Sequence, residues 1–427
     1  MAAVSAKYII ESILRVGCHG SKAVTDEDWH YLQALAVVLE ETATIYYYIR
    51  YDIFPHALKI SDLYEIEDIK GKEAFSHEEF YKTESKLKVD SAKQSYERRK
   101  EKAISEQPEG DRSAQPFPKN MQEVNIAFKN QYGFSLDNFG TVLHVLGCMD
   151  LSHEHYSPLS LVSEKILISK LKENIKEPPE ESEIKKILEF ASLRFGIYKP
   201  DEVLITSQLM RRKERLNLCP LIYLETGQYL YGNEMCLGAS RIWLQAISSA
   251  DLPYELPENS LIETALAKLH RYMDIELEKE AEVIATQVLG GNNVEARIDN
   301  FKRLSPSFPA KPDCGEIDLL AVNKSTKTIF VLDAKNRNRK IRPYDIGQEL
   351  KKFFEGNKSY LSQLIKKEEF VKNNLKDILA HFSIQDDKEW KIYKAFVVST
   401  NYPAAYYQGI NIDFVLISKL ADFLNNT

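Results

Sequence analysis

Two short segments of this 427-residue chain set charged side chains inside strand-forming apolar runs. The first reads Gly315-Glu316-Ile317-Asp318-Leu319-Leu320, the second Phe330-Val331-Leu332-Asp333-Ala334-Lys335. Aspartate is depleted inside strands, so an aspartate within each run calls for a purpose beyond packing. Alternation along a strand puts Ile329, Val331, Asp333 and Lys335 on one face, with Phe330, Leu332 and Ala334 on the other. The intervening Asn323-Lys324-Ser325-Thr326-Lys327 is polar and short, as a hairpin turn requires. Pairing across that turn brings Asp318 toward Asp333, with Lys335 about one pleat further along. Two hard oxygen donors beside a lysine suit a magnesium site poised for phosphodiester hydrolysis.

The elements around these segments follow from periodicity. An acidic helix is expected from Ser260 to Leu289, then a strand over Val294-Glu295-Ala296-Arg297-Ile298. After the hairpin come a helix from about Tyr344 to Phe354 and a strand over Ala395-Phe396-Val397-Val398-Ser399. Further helical material, about Ser359 to His381, reads as an insertion before that last strand. An Asp on one strand, Asp-Xaa-Lys on the next, and the order helix, three strands, helix, strand together resemble the PD-(D/E)XK nuclease superfamily, the restriction-endonuclease-like fold. The resemblance covers roughly the last two-fifths of the chain.

The resemblance implies that Asp318 and Asp333 hold a divalent cation, Mg2+ with Mn2+ as a substitute, and that the Ala334 carbonyl completes the shell. Lys335 would position or deprotonate the attacking water, or stabilise charge on the phosphate. Partial burial beside a metal disfavours an ammonium, which suits the proton-accepting role. A further ligand is expected from a glutamate on the first core helix, where Glu276, Glu278, Glu280 and Glu282 crowd together. Glu282 is the choice, because Ala285, Val288 and Leu289 follow it as an apolar stripe at helical spacing; Glu278 and Glu280 are the alternatives. Gln348 and Glu349 on the next helix are candidates for a supporting polar role.

The net charge of −7 argues against a passive nucleic-acid coat. Basic residues are nonetheless clustered. Lys335, Arg337, Arg339, Lys340 and Arg342 follow the candidate site and are placed to hold DNA backbone phosphates; a solvated turn is the plainer reading. Lys351, Lys352, Lys366 and Lys367 add positive charge. A second cluster, Arg211-Arg212-Lys213-Glu214-Arg215, suits either a DNA track or a domain seam. His153 and His155 lack the partners of a metal set. The five cysteines (Cys18, Cys148, Cys219, Cys236, Cys314) are scattered, with no Cys-Xaa-Xaa-Cys, and read as reduced thiols of a cytoplasmic protein. No apolar run is long enough to cross a membrane, and Met1 to Lys7 lacks the pattern of a secretory signal.

The fold class expected is α+β and multidomain. A mainly helical region over residues 1–250 precedes a C-terminal α/β restriction-endonuclease-like core over 251–427, with a mixed sheet in the order αβββαβ. Upstream helices are expected over Asp28 to Tyr51, Phe75 to Ile104, Asn120 to Cys148, Ser160 to Ile175 and Glu180 to Phe195. A mobile linker is expected near 105–119 and a β-hairpin near 220–232. Tyr46, Tyr47 and Tyr48 could stack on bases, though burial against a neighbouring element is their ordinary use.

The function expected is a Mg2+-dependent nuclease acting on DNA. Bacterial restriction or antiviral defence is one setting, repair and recombination another; a regulatory protein or activating ligand and a homodimer are compatible partners. The alternative is a catalytically silent nuclease fold that recruits a partner protein. RNA cleavage is a third reading, without a recognisable RNA-binding module to support it.

Overall fold

A computed structural model of the chain describes residues 2–16, 24–51, 53, 58–60, 66–69, 79–80, 82–83, 85–86, 119–149, 159–199, 201, 204, 212–336, 343–385, 389–407 and 410–426. The protein is α+β and divides into two compact units, each discontinuous in sequence. The first comprises Met1–Tyr46 and Pro116–His270, the second Tyr47–Gln115 and Arg271–Thr427. The division therefore runs through a helix after residue 270, where the sequence suggests 250, and residues 47–115 belong with the C-terminal part. Among the described residues no helix is long and apolar enough to cross a membrane.

The first unit begins with α1 (Ala2–Val16) and most of α2 (Asp26–Arg50). Thr25 caps α2, its hydroxyl accepting from the Asp28 N–H at 3.1 Å while the Asp28 carboxylate accepts from the Thr25 N–H. Then come α3 (Lys119–Tyr132), α4 (Leu136–Cys148), β3 (Leu159–Ser163), α5 (Glu164–Asn174), α6 (Glu181–Phe190), β4 (Ser192–Arg194), β5 (Leu221–Tyr223), β6 (Gln228–Gly232) and α7 (Asn233–Ser248). The expected hairpin is β5–β6, turning on Gly227 at φ +77°. It is the centre of a four-stranded sheet ordered β3-β6-β5-β4.

The flanking strands correct two expected helices. Ser160–Ser163 pairs antiparallel with β6, and Ser192–Arg194 parallel with β5. In β3 the side chains that alternate inward are Ser160 and Val162, so a buried serine masks the period of two. Phe128, Phe139, Phe190 and Trp243 form an aromatic core in this unit, Phe139 and Trp243 lying edge to face at 5.2 Å. Helices α4 and α7 approach closely at Gly147. A Cβ there would run into the Leu237 side chain and lie 3.2 Å from its backbone nitrogen. Gly147→Ala is expected to cost about 1–3 kcal/mol of stability, readable as a lowered urea midpoint.

The second unit carries α8 (Leu261–Leu289, from Arg271 onward), β7 (Val294–Ile298), β8 (Ile317–Asn323) and β9 (Thr328–Lys335). These are followed by α9 (Pro343–Phe354), α10 (Tyr360–Asn373), α11 (Leu375–His381), β10 (Lys391–Val398), β11 (Asp413–Leu416) and α12 (Leu420–Asn426). A short antiparallel pair, β1 (Leu58–Ile60) and β2 (Ile66–Ile69), precedes them in sequence. The main sheet is mixed, in the order β11-β10-β9-β8-β7. Its β7-β8-β9 portion is antiparallel, while β10 runs parallel to both β9 and β11. The sequence did not anticipate β11 or α12. Asp413–Leu416 is only four residues long and its pattern too brief to assign.

Helices cover both faces of this sheet, so its central strands are apolar on both sides. On one face Ala281 and Ala285 of α8 and Leu420 and Leu424 of α12 pack on Leu319, Phe330, Leu332 and Val397. On the other, Ile346 and Phe353 of α9, Leu364 and Val371 of α10 and Ile378 of α11 cover Leu320, Val331 and Phe396. Tyr48, Ile53 and Phe80 join this second core, which accounts for the upstream segment belonging to this unit. Tyr47 and Tyr48 are buried and Tyr46 is exposed, a packing role for that aromatic run. The described parts of the expected 75–104 helix are residues 79–80, 82–83 and 85–86; its remainder and the expected linker lie outside the described residues.

Candidate acidic-pair site

The site is built by the turn and the register it imposes. Asn323 Oδ1 accepts from the Ser325 N–H at 3.1 Å and the Ser325 hydroxyl at 2.6 Å, while Lys327 takes φ +51°. Leu319 then lies opposite Leu332 in the antiparallel ladder, so the next positions along are Asp318 and Asp333. The Ala334 N–H donates to Asp318 Oδ2 at 2.7 Å, tying the first carboxylate to the second strand. Two further contacts secure the end of β9. The Tyr402 hydroxyl donates to the Lys335 carbonyl at 3.2 Å, and the Ser399 hydroxyl to Asn336 Oδ1 at 2.7 Å.

Two ammoniums meet the acid pair. Lys335 Nζ lies 2.5 Å from Asp333 Oδ2, 3.9 Å from Asp318 Oδ2 and 3.2 Å from the Ala334 carbonyl. The Tyr360 ring is 5.0 Å from the same ammonium, at cation–π range. The second cation, Lys367, comes from α10. Its ammonium donates to Asp333 Oδ1 and lies 3.7 Å from Asp318 Oδ1. Asp333 is 1% exposed and Lys367 5%. Lys367 sits between Leu364 and Val371 on the buried stripe of its helix, so packing holds it over the sheet. The segment read as an insertion therefore supplies part of the site.

Burial and charge then work against each other. Burial, reinforced by the neighbouring Asp333 carboxylate, pushes Asp318 up to about 7 in spite of both lysines. Burial also presses on Asp333, but the Lys335 and Lys367 charges outweigh it and hold its carboxyl below the usual range. For Lys335, burial disfavours the ammonium, yet Asp333 and Asp318 more than compensate and raise its pKa above the ordinary value. The expected proton-accepting role belongs to a metal-bound site; with the two carboxylates facing Lys335 directly, the ammonium form is favoured.

The helix glutamates separate by environment. Glu282 pairs with Arg297 at 2.5 Å, and Glu276 with Lys279 at 2.9 Å on an exposed face. Glu280 is exposed. Glu278 is half-buried; burial first, then the Glu316 carboxylate, pushes its pKa up, while Arg297 and Lys335 pull it down. Lys335 thus acts on Glu278, while Glu282, the glutamate expected at the site, is engaged by Arg297. The apolar stripe used to choose Glu282 runs equally through Glu278, Ala281 and Ala285, one turn earlier. Arg297 itself sits between two paired positions of β7, with Ala296 opposite Leu319 and Ile298 opposite Ile317. It takes φ +49°, a strained conformation for a non-glycine residue.

Of the supporting residues expected on α9, Glu349 is buried and accepts from the Ala404 N–H at 3.4 Å, whereas Gln348 is exposed. Lys351, Lys352 and Lys366 are exposed. Arg337, Arg339, Lys340 and Arg342 lie outside the described residues, as do Arg211, His153 and His155. The rest of the upstream basic cluster turns inward. Arg212 stacks over Tyr198, Lys213 donates to the Phe190 carbonyl at 2.8 Å, and the buried Arg215 donates to the Pro253 carbonyl. All three of these contacts lie within the first unit.

Among the described residues no group of three or more His, Cys, Asp or Glu side chains gathers as a metal cage. The acid pair offers two carboxylates and one backbone carbonyl instead. Cys219, Cys236 and Cys314 are buried free thiols, the first and last pushed up to about 11 and Cys236 to about 12 by burial. No family model, curated protein or solved structure matches this chain.

Proposed function

We propose that this chain is a divalent-metal-dependent nuclease that hydrolyses phosphodiester bonds of DNA through a PD-(D/E)XK-type site in its second unit. The observation that carries the reading is the adjacent Asp318, half-buried, and Asp333, fully buried, on antiparallel strands, with Lys335 two residues beyond the second aspartate. A cation would fit the donor set. Asp333 Oδ2 is buried with the Lys335 ammonium 2.5 Å away as its charge partner, and Asp318 lacks enough neighbouring positive charge to ionise at its ordinary pH. Asp318, Asp333 and the Ala334 carbonyl would hold it, with Glu278 supplying negative charge from α8. When bound, such a cation lowers the pKa of water and neutralises charge developing on phosphorus.

The protein's own groups have separate tasks in this reading. Lys335, at the strand end beside Tyr360, contacts the phosphate or the attacking water. Tyr402 and Ser399 fix the end of the strand that presents it. Asp333 stays ionised because two ammoniums face it. The alternative, a silent scaffold, draws on one observation: two lysines already balance two carboxylates, an arrangement that can stand without a metal.

The test is cleavage of supercoiled and linear DNA with Mg2+, Mn2+ or EDTA. Asp333→Asn and Lys335→Ala should each lower the metal-dependent rate by at least about a hundredfold. Glu278→Gln should slow cutting, while Glu282→Gln should stay close to wild type. Cutting that survives both Asp333→Asn and Lys335→Ala would refute the assignment. RNA offered in parallel distinguishes the nucleic acid, and the setting in defence or repair rests on this proposal.

A further inference from the structure

Lys367 is the part of the site that the arrangement of the strands does not call for. It arrives from the helix layer and faces both aspartates, with its ammonium against one Oδ1 and 3.7 Å from the other. With both carboxylates ionised, the four charges of Asp318, Asp333, Lys335 and Lys367 sum to zero; with Asp318 protonated they sum to +1. In neither state does a dication gain much at the site unless one of the resident cations leaves.

The two lysines differ in their freedom to leave. Lys335 lies at the end of β9 with its side chain 17% exposed, its ammonium 5.0 Å from the Tyr360 ring. Lys367 has a side chain only 6% exposed and is flanked by Leu364 and Val371, both fully buried. The helix would have to move for this ammonium to withdraw.

We infer that Lys367 is a built-in counter-cation that competes with the divalent metal at Asp318 and Asp333, setting a weak metal affinity for the free protein. The inference rests on the proposed metal-dependent reading of the same site. It makes Lys367 a positioning residue and not a catalytic one: it acts on the carboxylates, and through them on how readily the cation is held. Its consequence is regulatory. A site carrying a permanent internal cation fills readily only when further negative charge arrives, and a substrate phosphate brings that charge.

A purely structural role makes the opposite prediction. If Lys367 merely keeps Asp333 in place, its removal disorders a ligand and weakens metal binding. Competition instead predicts tighter binding. The measurement is Mn2+ binding by calorimetry, without nucleic acid, for wild type, Lys367→Met, Lys367→Gln, Lys367→Arg and Asp333→Asn. Removing a unit charge within 4 Å of both carboxylates that would hold the dication should tighten binding of Lys367→Met or Lys367→Gln by at least about tenfold. Lys367→Arg, which keeps the charge, should stay near wild type, and Asp333→Asn should lose binding. Two neutral replacements guard against one that fails to fold. Equal or weaker binding by the neutral variants, with Asp333→Asn still deficient, would overturn the competition and leave the metal site standing. No Mn2+ binding by any form would overturn the metal reading and this inference together.

Discussion

Lys367→Met is expected to destabilise the second unit by about 3 kcal/mol in the absence of metal, the lower end of the range for breaking a buried ion pair. The low end applies because Asp333 keeps Lys335 as a partner. The cost comes chiefly from the carboxylate left behind. Asp333 is 1% exposed and holds its charge only because ammoniums oppose the burial penalty. Methionine fills similar space along the Leu364–Val371 stripe, so little of the loss should come from packing. For a unit of this size the change corresponds to a Tm lower by roughly 6–12 °C. Asp333→Asn introduced into Lys367→Met removes the stranded charge and should recover at least about 1 kcal/mol, a coupling readable by a double-mutant cycle. Equal stability of wild type and Lys367→Met would mean that the ion pair contributes nothing net. Additive losses in the double variant would place the effect in helix packing instead.

That prediction concerns the residue least visible in the sequence. Asp318, Asp333 and Lys335 stood out because charged residues interrupt apolar strands, and the turn length fixed which of them meet. The ends of β7 and the extent of α8 were also legible, since long periodic runs bounded by Gly290 or strand formers leave few alternatives. Lys367 gave a fainter signal. It occupies a core position in the pattern Leu364, Lys367, Val371, but Lys366 beside it is exposed, and a Lys-Lys pair on a charged helix ordinarily means a solvated face. Only the sheet beneath α10 shows which lysine is turned inward. The pairing of Glu282 with Arg297 likewise depends on β7, an element from elsewhere in the chain. In the first unit β3 escaped notice because its inward pair includes Ser160, and β4 because three residues carry no period at all. What local pattern specifies was readable. What depended on a partner element from elsewhere in the chain was not.

Asp318→Asn is expected to raise stability at pH 8 and to have little effect near pH 4. The folded pKa of Asp318 is pushed up to about 7, from 3.8 for an ordinary aspartate, by burial and by Asp333. A carboxyl raised in this way contributes stability that is fully present below the unfolded pKa. That contribution is lost as pH rises toward and through the folded pKa, because the unfolded chain has already released the proton. Wild-type stability from this group therefore falls between about pH 4 and pH 7, while asparagine, neutral in both states, loses nothing. The full linkage corresponds to about 4 kcal/mol. Part is taken back as Asp333 and the two lysines readjust around a missing charge, so a gain of about 1–3 kcal/mol is expected at pH 8. Asparagine can still accept the Ala334 N–H that Asp318 receives at 2.7 Å, so the strand contact survives. Urea midpoints of the two proteins measured from pH 4 to pH 9 give the result directly. The gap should open across the acid side of neutrality and then level off. A constant gap at all pH values would show that Asp318 titrates normally, and a less stable variant at pH 8 would show that its ionised form is a net stabiliser of the fold. A stabilising loss of charge is also what a binding site predicts: Asp318 is held at a cost to the protein alone, a cost that a bound cation would offset.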